Sequence, residues 1–125
     1  MLRLTPQQFE QLVVEAIASL PQPIAARLEN VAVVVERWPT RQQLRAVGAP
    51  PGETLLGLYE GVPLTQRDTN YSLALPDKIT IFSGPIEQLC MNVDEVRAQV
   101  AHTVVHEFAH HFGISDAQLQ QWGVY

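Results

Sequence analysis

The chain has 125 residues, of which 46% are hydrophobic and 17% charged, a composition typical of one globular domain over residues 1–125. The net charge is −5, with no basic run or aromatic-and-basic patch, which disfavours nucleic-acid binding. No stretch approaches the ~18 apolar residues of a membrane span, and the one cysteine, Cys90, has no partner for an internal disulfide. We therefore expect a cytoplasmic protein with no membrane partner.

The N-terminal part of the chain predicts an amphipathic helix followed by a strand. Thr5 is a hydroxyl cap with Pro6 at the first helical position, and apolar residues between Phe9 and Leu20 recur at helical spacing. The β-branched run Val31–Val35 predicts a strand that is covered on both faces. The shorter predicted helices of this part cover residues 24–29 and Thr40–Val47.

Further strands are predicted in the middle of the chain. Leu55–Tyr59 is one of them, and Ser72–Leu75 with Ile79–Phe82 reads as a hairpin around the turn Pro76–Lys78. The polar segment Gly61–Tyr71 is long for a loop of so small a domain. It is either a plain surface connection or part of the rim of a cleft.

Two helices complete the prediction. Asn92 and Glu95 have the spacing of a capping box that opens a long helix, which continues to about residue 112 and ends at Gly113. A short helix over Asp116–Trp122 follows. Helix, strand, short helix, two or three strands and then two helices make an α+β domain.

The most informative motif lies on the long predicted helix, where residues 106–116 read HEFAHHFGISD. On a helix, His106 and His110 are separated by about 40° of rotation and a rise of roughly 6 Å, so that both imidazoles can reach one zinc ion. Glu107 lies beside them without having to bind the ion. Two neutral nitrogens and a neighbouring carboxylate are the groups that a metal-activated water requires, and the motif therefore indicates a zinc hydrolase.

A third ligand is predicted at Asp116. The helix ends at Gly113, so the following turn is able to bring Asp116 back beside the two histidines. Three protein ligands leave the fourth position of zinc open, as in catalytic sites. Asp116 also has a competing interpretation as the N-cap of the last helix, a role that Ser115 is equally able to fill.

The pattern HExxHxxGxxD resembles that of the zincin metallopeptidases, and more narrowly that of the small bacterial minimal zincins. It differs from the metzincin pattern, because the third ligand is Asp and no methionine turn follows. The strand region Glu29–Glu36 and the segment Leu75–Phe82 fall in the order of the minimal zincin family. The resemblance implies a zincin-like minimal metalloprotease fold, with a small mixed sheet of three to four strands packed with N-terminal and C-terminal helices. It also implies one Zn²⁺ per chain bound by His106, His110 and Asp116, a catalytic base at Glu107, and a peptide or protein substrate.

Several assignments stay open. The resemblance implies an edge strand that aligns an extended peptide, for which Ile79–Phe82 is the candidate. An oxyanion-stabilising residue is not singled out, and His102 and His111 are either plain surface histidines or groups that assist the site. Cys90 is more typical of a buried hydrophobic residue than of a ligand. The candidates for the oxyanion role are Tyr59, Arg67, Tyr71, His102 and Tyr125.

Two further functions compete with a peptidase. One is a non-catalytic binding domain stabilised by zinc, against which the presence of Glu107 argues, because a structural site has no use for a base. The other is a deformylase-like amide hydrolase with Cys90 as a ligand, which lacks the expected glycine-rich motif.

Overall fold

The computed structural model describes residues 2–61 and 77–123. Within these ranges the chain forms six helices and three strands, in the α+β arrangement that the sequence predicts. The elements are α1 (Pro6–Ala18), α2 (Gln22–Arg27), β1 (Val31–Glu36), α3 (Arg41–Ala46), β2 (Gly57–Glu60), β3 (Asp77–Phe82), α4 (Ser83–Leu89), α5 (Val93–Phe112) and α6 (Asp116–Gln121).

The three described strands form one mixed sheet in the order β1-β3-β2. β1 pairs with β3 in parallel, with Val31 opposite Asp77, and β2 pairs with β3 in an antiparallel register, with Gly57 opposite Ile81. A small mixed sheet is thus confirmed. The prediction of a strand at Val31–Val35 is confirmed. All residues of β1 are half-buried, so both faces of the strand are partly covered, and Val31, Val33 and Val35 pack against the core.

The predicted hairpin around Pro76–Lys78 is wrong in part. Asp77 and Lys78 belong to β3 rather than to a turn, and β3 is the central strand, held on both sides by partners that are distant in sequence. The predicted strand Ser72–Leu75 lies outside the described residues. Local turn signals favoured a hairpin because they carry no information about the parallel pairing with β1.

The core lies between the sheet and the long helices. α1 begins with a reciprocal capping box, in which the Thr5 hydroxyl accepts a hydrogen bond from the N–H of Gln8 and the Gln8 side chain accepts one from the N–H of Thr5. Its apolar stripe packs along α5. The buried apolar residues of the two helices are Phe9, Leu12, Val13, Ala16, Val96, Val100, Val104, Val105, Phe108 and Ala109.

Helix α4 was not predicted from the sequence. Its first five residues are all buried, so it has no amphipathic periodicity to detect, and it contains a Gly-Pro pair that usually signals a turn. Gly84 contacts the Trp38 ring so closely that a Cβ would lie 2.5 Å from its nearest atom. Burial against the chain that follows β1 therefore stabilises this helix, rather than local propensity.

Helix α5, with 20 residues, is the longest of the described helices. The Asn92 side chain caps it by accepting a hydrogen bond from the N–H of Glu95, and it ends at Gly113 in the left-handed conformation with φ 67°, as predicted. Among the described residues, no helix is long and apolar enough to cross a membrane.

Candidate active site

The His and Glu side chains of the HExxH motif lie away from the core side of α5. The inner side of the helix places Val104, Val105 and Phe108 in the core, while His106 and His110 are exposed and Glu107 is half-buried. The packing of the apolar stripe fixes the rotation of the helix. The two histidines are therefore held towards solvent, one turn apart, with Glu107 at the boundary between core and surface.

The carboxylate of Glu107 lies in a mixed environment. Burial raises its pKa above the ordinary value, because desolvation disfavours the charged form. Three features act in the opposite direction: the nearby His106, a hydrogen bond from the backbone N–H of Tyr59, and the nearby His110. Both histidines are thus close enough to Glu107 to act on its charge, and the structure brings the three residues of HExxH together.

Strand β2 forms the wall opposite α5. The N–H of Phe82 donates to the carbonyl of Leu56 at 3.0 Å, so Leu56 and Phe82 form a hydrogen-bonded pair of the antiparallel ladder. Because such pairs alternate, the backbone polar groups of Gly57 and Tyr59 point away from β3. The hydrogen bond from Tyr59 to Glu107 agrees with this direction.

Among the described strands, the edge strand beside the motif is therefore β2. The assignment of Ile79–Phe82 as the edge strand is wrong, since this segment lies in β3, which has a partner on each side. The sequence contains no signal for the strand order, because it depends on the pairing of β3 with the distant β1.

Gly57 allows this close approach of β2 and α5. A Cβ at this position would lie 2.6 Å from the Thr103 methyl carbon, 3.2 Å from the Thr80 carbonyl oxygen and 3.4 Å from Cγ of Glu107. A side chain at Gly57 would thus push the strand away from the helix. Sequence reasoning missed this residue, whose requirement for glycine arises only from a tertiary contact.

A cleft of about 390 Å³ lies between the two walls. It includes His106 and Glu107, and also His102, which is outside the motif. A larger cavity of about 790 Å³ is lined by Phe108, Phe112 and Trp122 among others, but includes none of His106, Glu107 and His110. The candidate site is therefore identified by the residues that line the cleft and not by the volume of the cavity. The smaller cleft is lined by Thr54, Leu55, Leu56, Gly57, Gln99, His102, Thr103, His106 and Glu107.

Three contacts hold Tyr59, which lies near the end of β2. Its hydroxyl donates a hydrogen bond to Asp77 at 2.7 Å, and its ring stacks on that of His111 with centroids 4.0 Å apart, while its N–H reaches Glu107. His111 and Asp77 thus contact the strand that holds Glu107. No sequence signal pointed to Asp77, which was predicted to lie in a turn.

The turn after α5 determines the position of Asp116. No side chain atom would crowd a Cβ at Gly113, and Ser115, not Asp116, caps α6, with its hydroxyl accepting from the N–H of Gln118 at 3.2 Å. The capping interpretation of Asp116 is therefore wrong. Its carboxylate is exposed in the first turn of α6.

The residues present fit part of a zinc site. Two imidazoles one turn apart beside a carboxylate are suitable donors for zinc. In residues 2–61 and 77–123, however, no set of three or more His, Cys, Asp or Glu side chains converges closely enough to hold a metal ion. The structure thus groups His106 and His110 but does not bring Asp116 into a three-ligand set with them.

The other candidates fall into two groups. His102 and Tyr59 lie at or beside the cleft, whereas Arg67, Tyr71 and Tyr125, with most of the Gly61–Tyr71 segment, lie outside the described residues. Cys90 is buried in the core, as predicted, and its thiol has a pKa raised by that burial and by the negative charge of Glu95.

Comparison with known proteins agrees with this class of fold. The sequence profile of zincin-like metallopeptidases matches residues 28–124, and the chain therefore belongs to that family. A solved structure of a conserved hypothetical protein from T. thermophilus, TTHA0227, is similar in fold, with a TM-score of 0.55 and 23% identity. The similarity covers 87% of this chain and 94% of that one. No curated protein sequence matches the chain.

Proposed function

We propose that the protein is a zinc-dependent peptidase that hydrolyses peptide bonds in the cleft between β2 and α5. The observation that carries this proposal is the position of Glu107, which lines the same cleft as His106 and lies directly against Gly57 of β2. A carboxylate, a histidine pair and a strand with no partner on one side among the described strands are the parts required to activate water against an extended peptide.

In this proposal His106, His110 and Asp116 hold one zinc ion per chain. The two imidazoles supply neutral nitrogens from one helical face, and Asp116 approaches from the turn that begins at Gly113. When bound, zinc supplies Lewis acidity, which activates water and polarises a carbonyl group. The exposure of Asp116, together with the use of Ser115 as the cap, leaves its carboxylate available for this role.

Glu107 acts as the general base. Its carboxylate accepts a proton from the attacking water and then delivers that proton to the leaving amine. The N–H of Tyr59 orients the carboxylate. The outward-facing backbone groups of Gly57 pair with the main chain of the substrate, which places a peptide bond next to Glu107.

The test is hydrolysis of a quenched fluorescent peptide library by the zinc-loaded protein. We expect cleavage by the wild type, loss of cleavage after metal removal, and a decrease of at least about 100-fold in Glu107→Gln, as is typical for removal of a general base. Asp94→Asn is the matched control, since Asp94 is an exposed carboxylate in the first turn of the same helix.

A measurement of zinc affinity distinguishes a defect in the chemical step from the absence of peptidase activity in a protein that still binds zinc. If Glu107→Gln binds zinc as tightly as the wild type and loses cleavage, the defect is in the chemical step. Tight binding of one zinc ion, with no cleavage of any peptide by the wild type, would instead favour the non-catalytic zinc-stabilised binding domain.

A further inference from the structure

His102 is a chemically active side chain in the cleft that the proposed mechanism does not use. It lies on α5 one turn before His106, with the two rings nearly parallel at 17° and their centroids 6.0 Å apart. It is exposed and lines the same cleft as His106 and Glu107. Its position next to the proposed reaction centre makes it accessible to a bound peptide.

The relative direction of β2 and α5 places His102 to one side of that centre. Gly57 lies next to Thr103 and Glu107, and Gly61 lies next to His111, so the strand and the helix run in the same direction. The residues that precede Gly57 therefore lie opposite those that precede His106. In the proposed function a peptide paired with this edge continues past Glu107 along the segment Thr54–Leu56, which lines the same cleft as His102.

The groups at this end of the cleft have a mixed character. Leu55 and Leu56 are half-buried and offer apolar surface. An imidazole carries at least one N–H donor in either charge state, and Thr54 adds a hydroxyl. The side-chain amide of Gln99 donates to the Thr103 hydroxyl at 3.1 Å, and among the described residues that line the cleft the one carboxylate is Glu107.

From this arrangement we propose that His102 determines specificity and that its end of the cleft binds a glutamate side chain of the substrate, next to the cleaved bond. The aliphatic part of the glutamate contacts Leu55 and Leu56, and its carboxylate accepts hydrogen bonds from His102 and Thr54. This inference rests on the proposed peptidase function for its substrate, but binding at His102 is measurable without turnover.

The first experiment compares two matched peptides that carry Glu or Leu at the position flanking the cleaved bond. We expect the zinc-loaded wild type to cleave the Glu peptide with a kcat/KM at least about ten-fold higher, since a charge-assisted hydrogen bond discriminates by that order. His102→Leu is expected to reduce the preference to about two-fold or less. His111→Leu is the control, and it should change the rates for both peptides alike, because His111 contacts Tyr59 and not the cleft.

The second experiment measures binding to the zinc-loaded Glu107→Gln protein with ¹³C-labelled histidines. The ring signals of His102, identified by their loss in His102→Leu, should shift with the Glu peptide and not with the Leu peptide. Cleavage by the wild type with the same preference in His102→Leu would overturn the subsite and leave the peptidase intact. Absence of cleavage together with a shift specific to the Glu peptide would support the subsite and contradict the peptidase. Absence of both would contradict both proposals.

Discussion

Adjacent residues in the turn after α5 have separate roles. The Ser115 hydroxyl caps α6, and the neighbouring carboxylate of Asp116 is exposed and takes no part in that cap. In the proposed function Asp116 binds zinc, so the two side chains affect different properties of the protein. One contributes to the stability of a helix, the other to the affinity for metal.

We predict that Asp116→Ala lowers the affinity for zinc, whereas Ser115→Ala lowers the stability of the fold. Asp116→Ala should weaken zinc binding by more than about 100-fold, since loss of even an outer-shell partner costs 10–100-fold. Ser115→Ala should lower the free energy of unfolding of the zinc-free protein by about 1 kcal/mol and leave zinc affinity unchanged. Competition titration with a chromophoric chelator and urea denaturation measure the two effects. Wild-type zinc affinity in Asp116→Ala would contradict the ligand assignment.

Cys90 provides a second prediction for a single residue. Burial, followed by the charge of Glu95, raises the pKa of its thiol, so the neutral thiol is favoured in the folded state. This contribution to stability is present below the pKa of the unfolded thiol and is lost as the pH rises through the higher pKa of the folded one. At pH 7.5 we expect iodoacetamide to label the native protein at least about ten-fold more slowly than the urea-unfolded chain, because the reactive form is the thiolate. Equal rates by mass spectrometry would show that the thiol is accessible.

At the scale of elements, the distance between β2 and α5 determines the width of the cleft. The N–H of Tyr59 reaches Glu107 because the strand lies directly against the helix, and Gly57 is the residue that permits this contact. The hydroxyl of Tyr59 and the ring stacked on it hold the other end of the strand. The position of the proposed base thus depends on how two elements pack.

We predict that Gly57→Ala lowers the free energy of unfolding by about 1–3 kcal/mol, the usual cost of overpacking, and also reduces peptidase activity, because the strand must move away from Glu107. Gly61→Ala is the matched control near the other end of β2. The nearest atom to its added Cβ would be 3.5 Å away, so we expect unchanged or slightly higher stability. Urea denaturation of both variants tests the difference, and equal stability would contradict the role of Gly57.

At the scale of the whole molecule, one buried ion pair connects three separate parts of the chain. Glu87 of α4 is only 1% exposed and pairs with Arg37, which follows β1, at 2.5 Å. Its second carboxylate oxygen accepts a hydrogen bond from the N–H of Leu4 at 3.3 Å. The segment before α1, the end of β1 and the helix after β3 are therefore joined at a single carboxylate.

We predict that Arg37→Ala lowers the free energy of unfolding by about 3 kcal/mol, because it leaves the buried carboxylate without its counter-charge. The value is at the lower end of the range for buried pairs, since the Arg37 side chain is 45% exposed. Adding Glu87→Gln to Arg37→Ala should restore part of the stability by removing the unpaired charge. A double variant less stable than Arg37→Ala alone, measured by urea denaturation at pH 7, would contradict this explanation.

The features that the sequence predicted correctly are those that depend on interactions between residues close together in the chain. The cap at Thr5, the cap at Asn92 and the left-handed end at Gly113 each depend on residues within one turn, and the structure has all three. The spacing of His106, Glu107 and His110 likewise needs only a helix. These signals were sufficient for the long helices, the first strand and the core of the motif.

The features that the sequence did not predict depend on distant contacts. The central position of β3 requires β1, α4 exists because it is buried against Trp38, and the edge role of β2 follows from the order of the sheet. For the last turn, the sequence allowed either Ser115 or Asp116 to be the cap, since both side chains are good acceptors. The structure shows that Ser115 is the cap.

The central position of β3 also affects the order in which the fold can form during synthesis. β1 and β2 both precede β3 in the chain and pair with it rather than with each other, so neither has its sheet partner until residues 77–82 have left the ribosome. α5 emerges later still, and with it the histidines and Glu107. Parallel pairing across such a separation also slows folding, because a long loop must close before contacts form. The cleft is thus assembled only after nearly all of the described chain has been synthesised. Until then, β1 and β2 lack the strand with which they pair.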